Sequence, residues 1–249
     1  MPEELVHYAV TGSVATITLD SQHNRNALSQ QLVTELVQGL ERANAEAAVK
    51  VAMVRQEGKV FCSGADLTEA TTAGMEQAAR RIVALQRLIV TMDKPVVTRV
   101  AGAVRAGGMG IVAASDVAIS ADDATYALTE VKLGLAAAII SLTVHARMNP
   151  RAAALTTLGG DVFTGAEAAE YGLVTRAVPA AELDDAVARA CGQLATGAAQ
   201  GLRESKRILN AELVRRIDAL GDDMAALSAR LFGSEEAQAA MTAFLSRQK

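Results

Sequence analysis

Through residues 5–20 polar and apolar positions alternate (VHYAVTGSVATITLD), and Gly12-Ser13 interrupts the alternation at its middle. A period of two broken by a tight turn predicts a β-hairpin, with Ala15, Ile17 and Leu19 on one face. After the polar turn Ser21-Gln22-His23-Asn24-Arg25-Asn26 the period lengthens. Leu28, Leu32, Val33, Leu36, Val37 and Leu40 recur at helical spacing. Val49 to Gln56 reads as a short buried strand, ending in the loop Gly58 to Leu67. Residues 75–92 form a second amphipathic helix (Ile82, Leu85, Leu88, Ile89, Met92). Lys94-Pro95 ends it and opens an extended apolar stretch from Pro95 to Ala103. A short apolar helix from Gly108, another strand, a loop carrying Glu130 and an apolar run from Ala136 to Leu142 follow. Strand, loop and helix in repeating order predict an α/β core with parallel pairing.

From residue 149 the pattern turns helical. Pro150 suits the first turn of a helix through Leu158. Thr164 with Glu167 three residues on predicts a capping box, and Tyr171 to Val174 a short edge strand. Further helices are expected at 180–195, about 200–213, 214–231 and 234–247. This divides the chain into an α/β core, 1–195, and a helical region, 196–249, within one structural unit.

Composition narrows the function. The chain has 249 residues, 51% hydrophobic, with much of that alanine. No apolar run is long enough to cross a bilayer, and Met1-Pro2-Glu3-Glu4 lacks the order of a secretory signal. Cys62 and Cys191 are too few for a disulfide framework. A cytoplasmic protein with no membrane partner is the expectation. A net charge of −4, three tyrosines, four phenylalanines and no tryptophan argue against nucleic-acid binding and leave a small molecule as the target. His7, His23 and His145 are too scattered to hold a metal, so none is expected. Cys62, His145 and Cys191 read as packing residues.

The chemistry concentrates at Gly107-Gly108. Glycines where a strand meets a helix permit a sharp turn and close ligand approach, and the helix start directs unpaired N–H groups at whatever lies there. Gly108-Met109-Gly110-Ile111-Val112-Ala113 fits a dinucleotide fingerprint by spelling. The strand does not run directly into its first glycine, however, and Asp122 and Asp123 come too early for the ribose acid. Two loops share a design, Cys62-Ser63-Gly64-Ala65-Asp66 and Arg105-Ala106-Gly107-Gly108. They are either two ordinary turns or a pair of N–H donors converging on one oxygen.

Phe61-Cys62-Ser63-Gly64-Ala65-Asp66-Leu67, Arg105-Ala106-Gly107-Gly108, Ser115-Asp116-Val117 and Glu130-Val131-Lys132-Leu133-Gly134 occur in this order. Asn26-Ala27-Leu28 and Phe244-Leu245-Ser246-Arg247 flank them. Together they resemble the enoyl-CoA hydratase/isomerase (crotonase) superfamily over essentially the whole chain. The resemblance implies a crotonase-like spiral of ββα units with a C-terminal helical trimerisation region, assembled as a homotrimer or hexamer. It implies an acyl-CoA or enoyl-CoA substrate, coenzyme A being part of the substrate and no cofactor resident. The N–H groups of Ala65 and Gly107 would polarise the thioester carbonyl, and Glu130 would act as acid and base. Arg25, Ala27, Ser63, Asp66, Leu67, Gly108, Phe244 and Arg247 would bind substrate, with Lys206 and Arg207 as weaker cationic candidates. Hydration or double-bond migration, in fatty-acid or related acyl-CoA degradation, is the implied activity. A CoA-thioester-binding homologue with little turnover is the alternative.

Four positions depart from the pattern or stay open. The second glutamate of family hydratases is replaced by Gly110, leaving one carboxylate, unless Glu69 helps to orient water. Ala101-Gly102 stands where Asn-Gly is usual. Arg105 is expected to meet a polar acyl group, Glu130 or a surface acid.

Overall fold

The computed structural model describes residues 3–66, 69 and 72–246, without the side chains of residues 72, 73 and 244–246. The hairpin forms as the alternation predicts: β1 (Val6–Thr11) pairs antiparallel with β2 (Val14–Leu19), and Ala15, Ile17 and Leu19 are fully buried. Helix α1 (Gln30–Ala45) starts later than the apolar spacing indicated, because the Ser29 side chain caps it by accepting from the Leu32 N–H. Leu28 is thereby freed for another task.

Three consecutive units then repeat one arrangement. β3 (Val51–Gln56) and β4 (Val60–Cys62) precede α2 (Thr72–Thr91). β5 (Val96–Val100) and β6 (Ala103–Arg105) precede α3 (Gly107–Ala114). β7 (Val117–Ala121) and β8 (Thr125–Ala127) precede a short 3-10 helix, Thr129–Leu133, and α4 (Ala138–Arg147). The first strand of each unit joins a six-stranded sheet of order β1-β2-β3-β5-β7-β10. The second joins a four-stranded sheet of order β4-β6-β8-β9. The core pairs β3–β5–β7 and β4–β6–β8 are all parallel, so the chain advances as the expected spiral.

Two strands therefore stand where the sequence reading placed loop or continuous strand. The Gly58–Leu67 loop contains β4, and the Pro95–Ala103 stretch crosses from one sheet to the other. Gly102 makes the crossing, because its backbone lies against the Lys59 carbonyl with no room for a side chain.

Helix α5 (Pro150–Gly159) carries Pro150 in its first turn. β9 (Phe163–Thr164) leads into α6 (Gly165–Glu170), whose Thr164–Glu167 capping box is formed. The edge strand is β10 (Arg176–Val178), just after the predicted position. Helix α7 (Leu183–Ala195) follows. The two helices expected over 200–231 are one, α8 (Ala199–Phe232). Buried Leu213, Ile217, Gly221 and Ala225 step four at a time through the proposed break, so a single stripe faces the core. Helix α9 (Glu235–Ser246) ends the described chain. Among the described residues no helix is long and apolar enough to cross a membrane.

Lys206 and Asn210 on α8 dock it through a buried polar cluster. The Lys206 ammonium donates to the carbonyls of Ile89 and Lys94 and pairs with Asp116 at 2.8 Å. Asn210 donates to Val90 O and Asp116, and accepts from Arg147. Lys206 is thus neither a solvated helix residue nor a free cation for a ligand.

Candidate active site

β4, β6 and β8 lie side by side and parallel, with Cys62 opposite Val104, Val104 opposite Tyr126 and Arg105 opposite Ala127. Their C-terminal ends therefore emerge on one edge. The turns that follow, 63–66, 106–107 and 128–130, are neighbours there at the strand spacing of roughly 4.8 Å. Such an edge, outside the carboxyl ends of parallel strands, is where open α/β sheets bind ligands.

The first two turns touch. A Cβ built on Gly64 would lie 3.0 Å from the Cβ of Ala106. Leu28 ties both, its N–H donating to Gly64 O at 2.8 Å while its Cδ1 sits 2.6 Å from where a Gly107 Cβ would be. Asn26, 1% exposed, braces the arrangement by accepting from Ser21 N–H and donating to Val60 O. Gly107 is the first residue of α3, so its N–H has no intrahelical acceptor. Among the described residues the N–H groups of Ala65 and Gly107 donate to no protein oxygen.

Ala106 takes φ 45°, ψ −120°, a region a side chain enters at a cost of order 1–3 kcal/mol. That twist turns the chain from β6 into α3. Sequence reading passed over Ala106; its place between a strand end and a glycine pair was the available signal.

Glu130 lies in the 3-10 helix, three residues beyond the end of β8. The residue as a whole is half-buried, yet its Oε2 is shielded from solvent and has no hydrogen-bond partner among the described residues. Burial pushes the carboxyl from the ordinary 4.5 up to about 7, opposed weakly by its own backbone N–H. A carboxyl so placed is half-ionised near neutrality, the condition for taking and returning a proton.

Gly110 lies one helical turn beyond Gly107. A Cβ there would meet Ile140 Cγ2 at 2.9 Å and the Gln86 carboxamide at 3.1 Å. Gln86, fully buried, donates to Ile82 O and Ile139 O and accepts from Thr143. The place of a second acid is thus closed as well as vacant. Gln86 was legible as the one polar residue among Ile82, Leu85 and Ile89.

Arg105 reaches neither of the two protein partners expected of it. It donates to Val104 O, Thr125 O and Thr125 Oγ1, and desolvation lowers its pKa. It meets neither Glu130 nor a surface acid; it fastens β6 to β8. Glu69 accepts from Gln30 N–H at the start of α1, which gives it a capping task.

The substrate-binding candidates fall partly together. Residues 24–28 run beside the Ser63–Asp66 turn: Asn24 donates to Asp66, Ser63 N–H to Arg25 O, and Ser63 Oγ to Asn24 O. Arg25, φ 61°, is exposed and Ala27 buried. Gly108 packs against Cys62, whose thiol burial pushes up to about 12, which makes it inert. Leu67 and Arg247 lie outside the described residues, as does the side chain of Phe244. Cavities of about 410 and 170 Å3 flank the Lys206–Asp116 cluster and are lined by none of Ala65, Gly107 or Glu130. Among the described residues no acid, histidine or cysteine group is arranged to hold a metal.

Residues 9–249 match the family model "Enoyl-CoA hydratase/isomerase". A Thermus thermophilus protein provisionally named enoyl-CoA hydratase is 34% identical over 205 residues, spanning 80% of this chain and 81% of its own. The crystal structure of an enoyl-CoA hydratase from Mycobacterium avium superposes with a TM-score of 0.93 at 41% identity. That match covers 98% of this chain and 97% of the other. With the spiral of ββα units and the three neighbouring turns, these matches establish that the chain belongs to the enoyl-CoA hydratase/isomerase, or crotonase, family.

Proposed function

We propose that this protein shifts the double bond of an enoyl-CoA thioester, using Glu130 as its single acid and base. The observation that carries the reading is the buried Oε2 of Glu130, unpartnered among the described residues, on the sheet edge where two turns have N–H groups without a described acceptor, with the second-acid position closed at Gly110. Ionised Glu130 removes a proton from C2 of a 3-enoyl thioester. The electron pair moves into the C2–C1 bond and onto the thioester oxygen, where the N–H groups of Ala65 and Gly107 receive the charge. The protonated carboxyl then returns the proton at C4, leaving a C2=C3 double bond. Donors matched to the developing oxyanion act on the transition state more than on the neutral carbonyl, each worth about 3–4 kcal/mol. The transfer is redox-neutral, so coenzyme A enters as part of the substrate and no resident cofactor is needed.

Arg25, Ala27, Ser63, Asp66 and Gly108 are the proposed substrate contacts among the described residues, with Arg25 the exposed cation for the phosphates. Exposed Val131, Leu155, Leu158 and Val162 support association into a homotrimer or hexamer, and the cytoplasm is the proposed compartment.

Short and medium 3-enoyl- and trans-2-enoyl-CoAs offered to purified protein test the reading. Conversion of 3-enoyl to 2-enoyl thioester, with kcat rising as pH climbs through about 7, is expected. Faster water addition to the 2-enoyl thioester would assign hydration instead. Tight binding without turnover of either would favour the CoA-binding alternative.

A further inference from the structure

The turn that carries Glu130 is gripped from two sides, and one grip belongs to the C-terminal helix. Gly134 closes the turn in the left-handed region, φ 67°, its N–H and that of Leu135 both donating to the Glu130 carbonyl. A Cβ on Gly134 would sit 3.3 Å from Ala237 Cα and N and from Glu236 Cγ, all in the first turn of α9. Ala237 is fully buried, and Ser234 Oγ accepts its N–H to cap the helix. On the other side Gly160, closing α5 at φ 65°, lies against Val131 Cγ1, Leu128 O and Lys132 Cε. There Lys132 also pairs with Asp161 at 2.7 Å.

We propose that Ala237 is a positioning residue: the first turn of α9, seated on Gly134, fixes the placement and dryness of the Glu130 carboxyl, so displacing α9 detunes the acid. This rests on the proposed role of Glu130 and adds a regulator to the same site. A 3-10 turn is short and weakly held on its own. Here even one added carbon on its closing glycine would press on the α9 backbone, and Ala237 has no exposed surface, so a larger residue at 237 must move either the helix or the turn. Moving the turn admits water to Oε2, and the desolvation that raises the carboxyl is relieved. The charged groups on the turn and on the elements packed against it are Lys132 on it, Arg151 on α5, Asp161 beyond α5, and Glu235 and Glu236 on α9. None of these pairs with the Glu130 carboxyl.

The test titrates carboxyl-13C-glutamate-labelled protein by NMR, with Glu130 assigned from the Glu130→Gln spectrum, in wild type, Ala237→Leu and Ala237→Gly. Ala237→Leu should lower the Glu130 midpoint by at least one pH unit and cut kcat at least tenfold, with KM changed less than threefold. Ala237→Gly, which keeps the seat, should hold the wild-type midpoint. If Ala237→Leu does not fold, Gly134→Asn, which tolerates φ > 0 and presses on α9, must give the same downward shift. A folded displacing variant with an unmoved midpoint overturns the proposal, even if its Tm falls. Because the midpoint is read without substrate, a wild type that turned over no enoyl-CoA would sink the proposed reaction and leave this inference still measurable.

Discussion

Two buried charged groups in this protein are treated in opposite ways. The Lys206 ammonium spends its hydrogens on Ile89 O, Lys94 O and Asp116, and Asp116 accepts further from Val96 N–H and Asn210. Glu130, on the sheet edge, keeps a shielded oxygen with no hydrogen-bond partner among the described residues. On the same edge, among the described residues, the N–H groups of Ala65 and Gly107 have no protein acceptor and Ala106 is strained. A buried charge costs several kcal/mol unless paired, so folding alone accounts for the first arrangement and gains nothing from the second. Unpaired donors, a raised carboxyl and backbone strain gathered on one edge mark where stability has been given up for chemistry.

The sharpest way to break this contrast is Glu130→Gln. Turnover should fall about 10^3-fold, within the range that acid–base groups supply, while stability rises. The folded carboxyl titrates near 7 against an ordinary 4.5, so the folded state holds its proton more tightly between those values. Stability therefore declines as pH rises from about 4.5 to 7, and above 7 the whole cost is present. Glutamine removes the cost. Tm should gain roughly 10 °C at pH 8 and nothing near pH 4, read by calorimetry at both. A variant that lost activity and stability together at pH 8 would put Glu130 with the structural charges.

Lys206→Met is the converse. It leaves Asp116 buried without its cation, and breaking a buried pair from one side costs about 3–5 kcal/mol. At 2–4 °C per kcal/mol, Tm should drop by roughly 10 °C. In the fraction that stays folded, the pH midpoint of turnover should not move. A shifted midpoint would mean that the α8 anchor reaches the site electrostatically and that the two regions are not independent.

The sequence exposed these regions unequally. Alternation in the hairpin, the Thr164–Glu167 box and Pro150 are local signals, and local structure follows them. The turns at Ala65 and Gly107 and the acid at 130 were legible as motifs, yet their adjacency depends on β4 and β6, strands of three residues each. Runs so short carry no period. The Lys206 cluster was hidden for another reason: Lys206 and Asp116 lie ninety positions apart, and a lysine on a helix looks the same whether it meets water or a carboxylate. The continuity of α8 was missed because its buried stripe includes Gly221 and Ala225, residues too small to register as apolar periodicity.

Arg105 offers the finest test, because it belongs to neither group cleanly. It is a half-buried cation with no carboxylate partner among the described residues, which resembles Glu130, but carbonyl and hydroxyl oxygens of Val104 and Thr125 occupy its N–H groups, which resembles Lys206. If the decisive property is an unspent polar atom rather than an unbalanced charge, Arg105 is a clasp between β6 and β8. Arg105→Met keeps the aliphatic stem and removes those bonds, at about 1 kcal/mol for a partly exposed site, so Tm should fall by roughly 3 °C. The pH midpoint of turnover should stay where Glu130 sets it, because the guanidinium reaches toward Thr125, at the far end of β8 from the Glu130 turn. A midpoint that rose on removing the cation would show that Arg105 holds the Glu130 carboxyl down, and charge balance would then be part of the tuning.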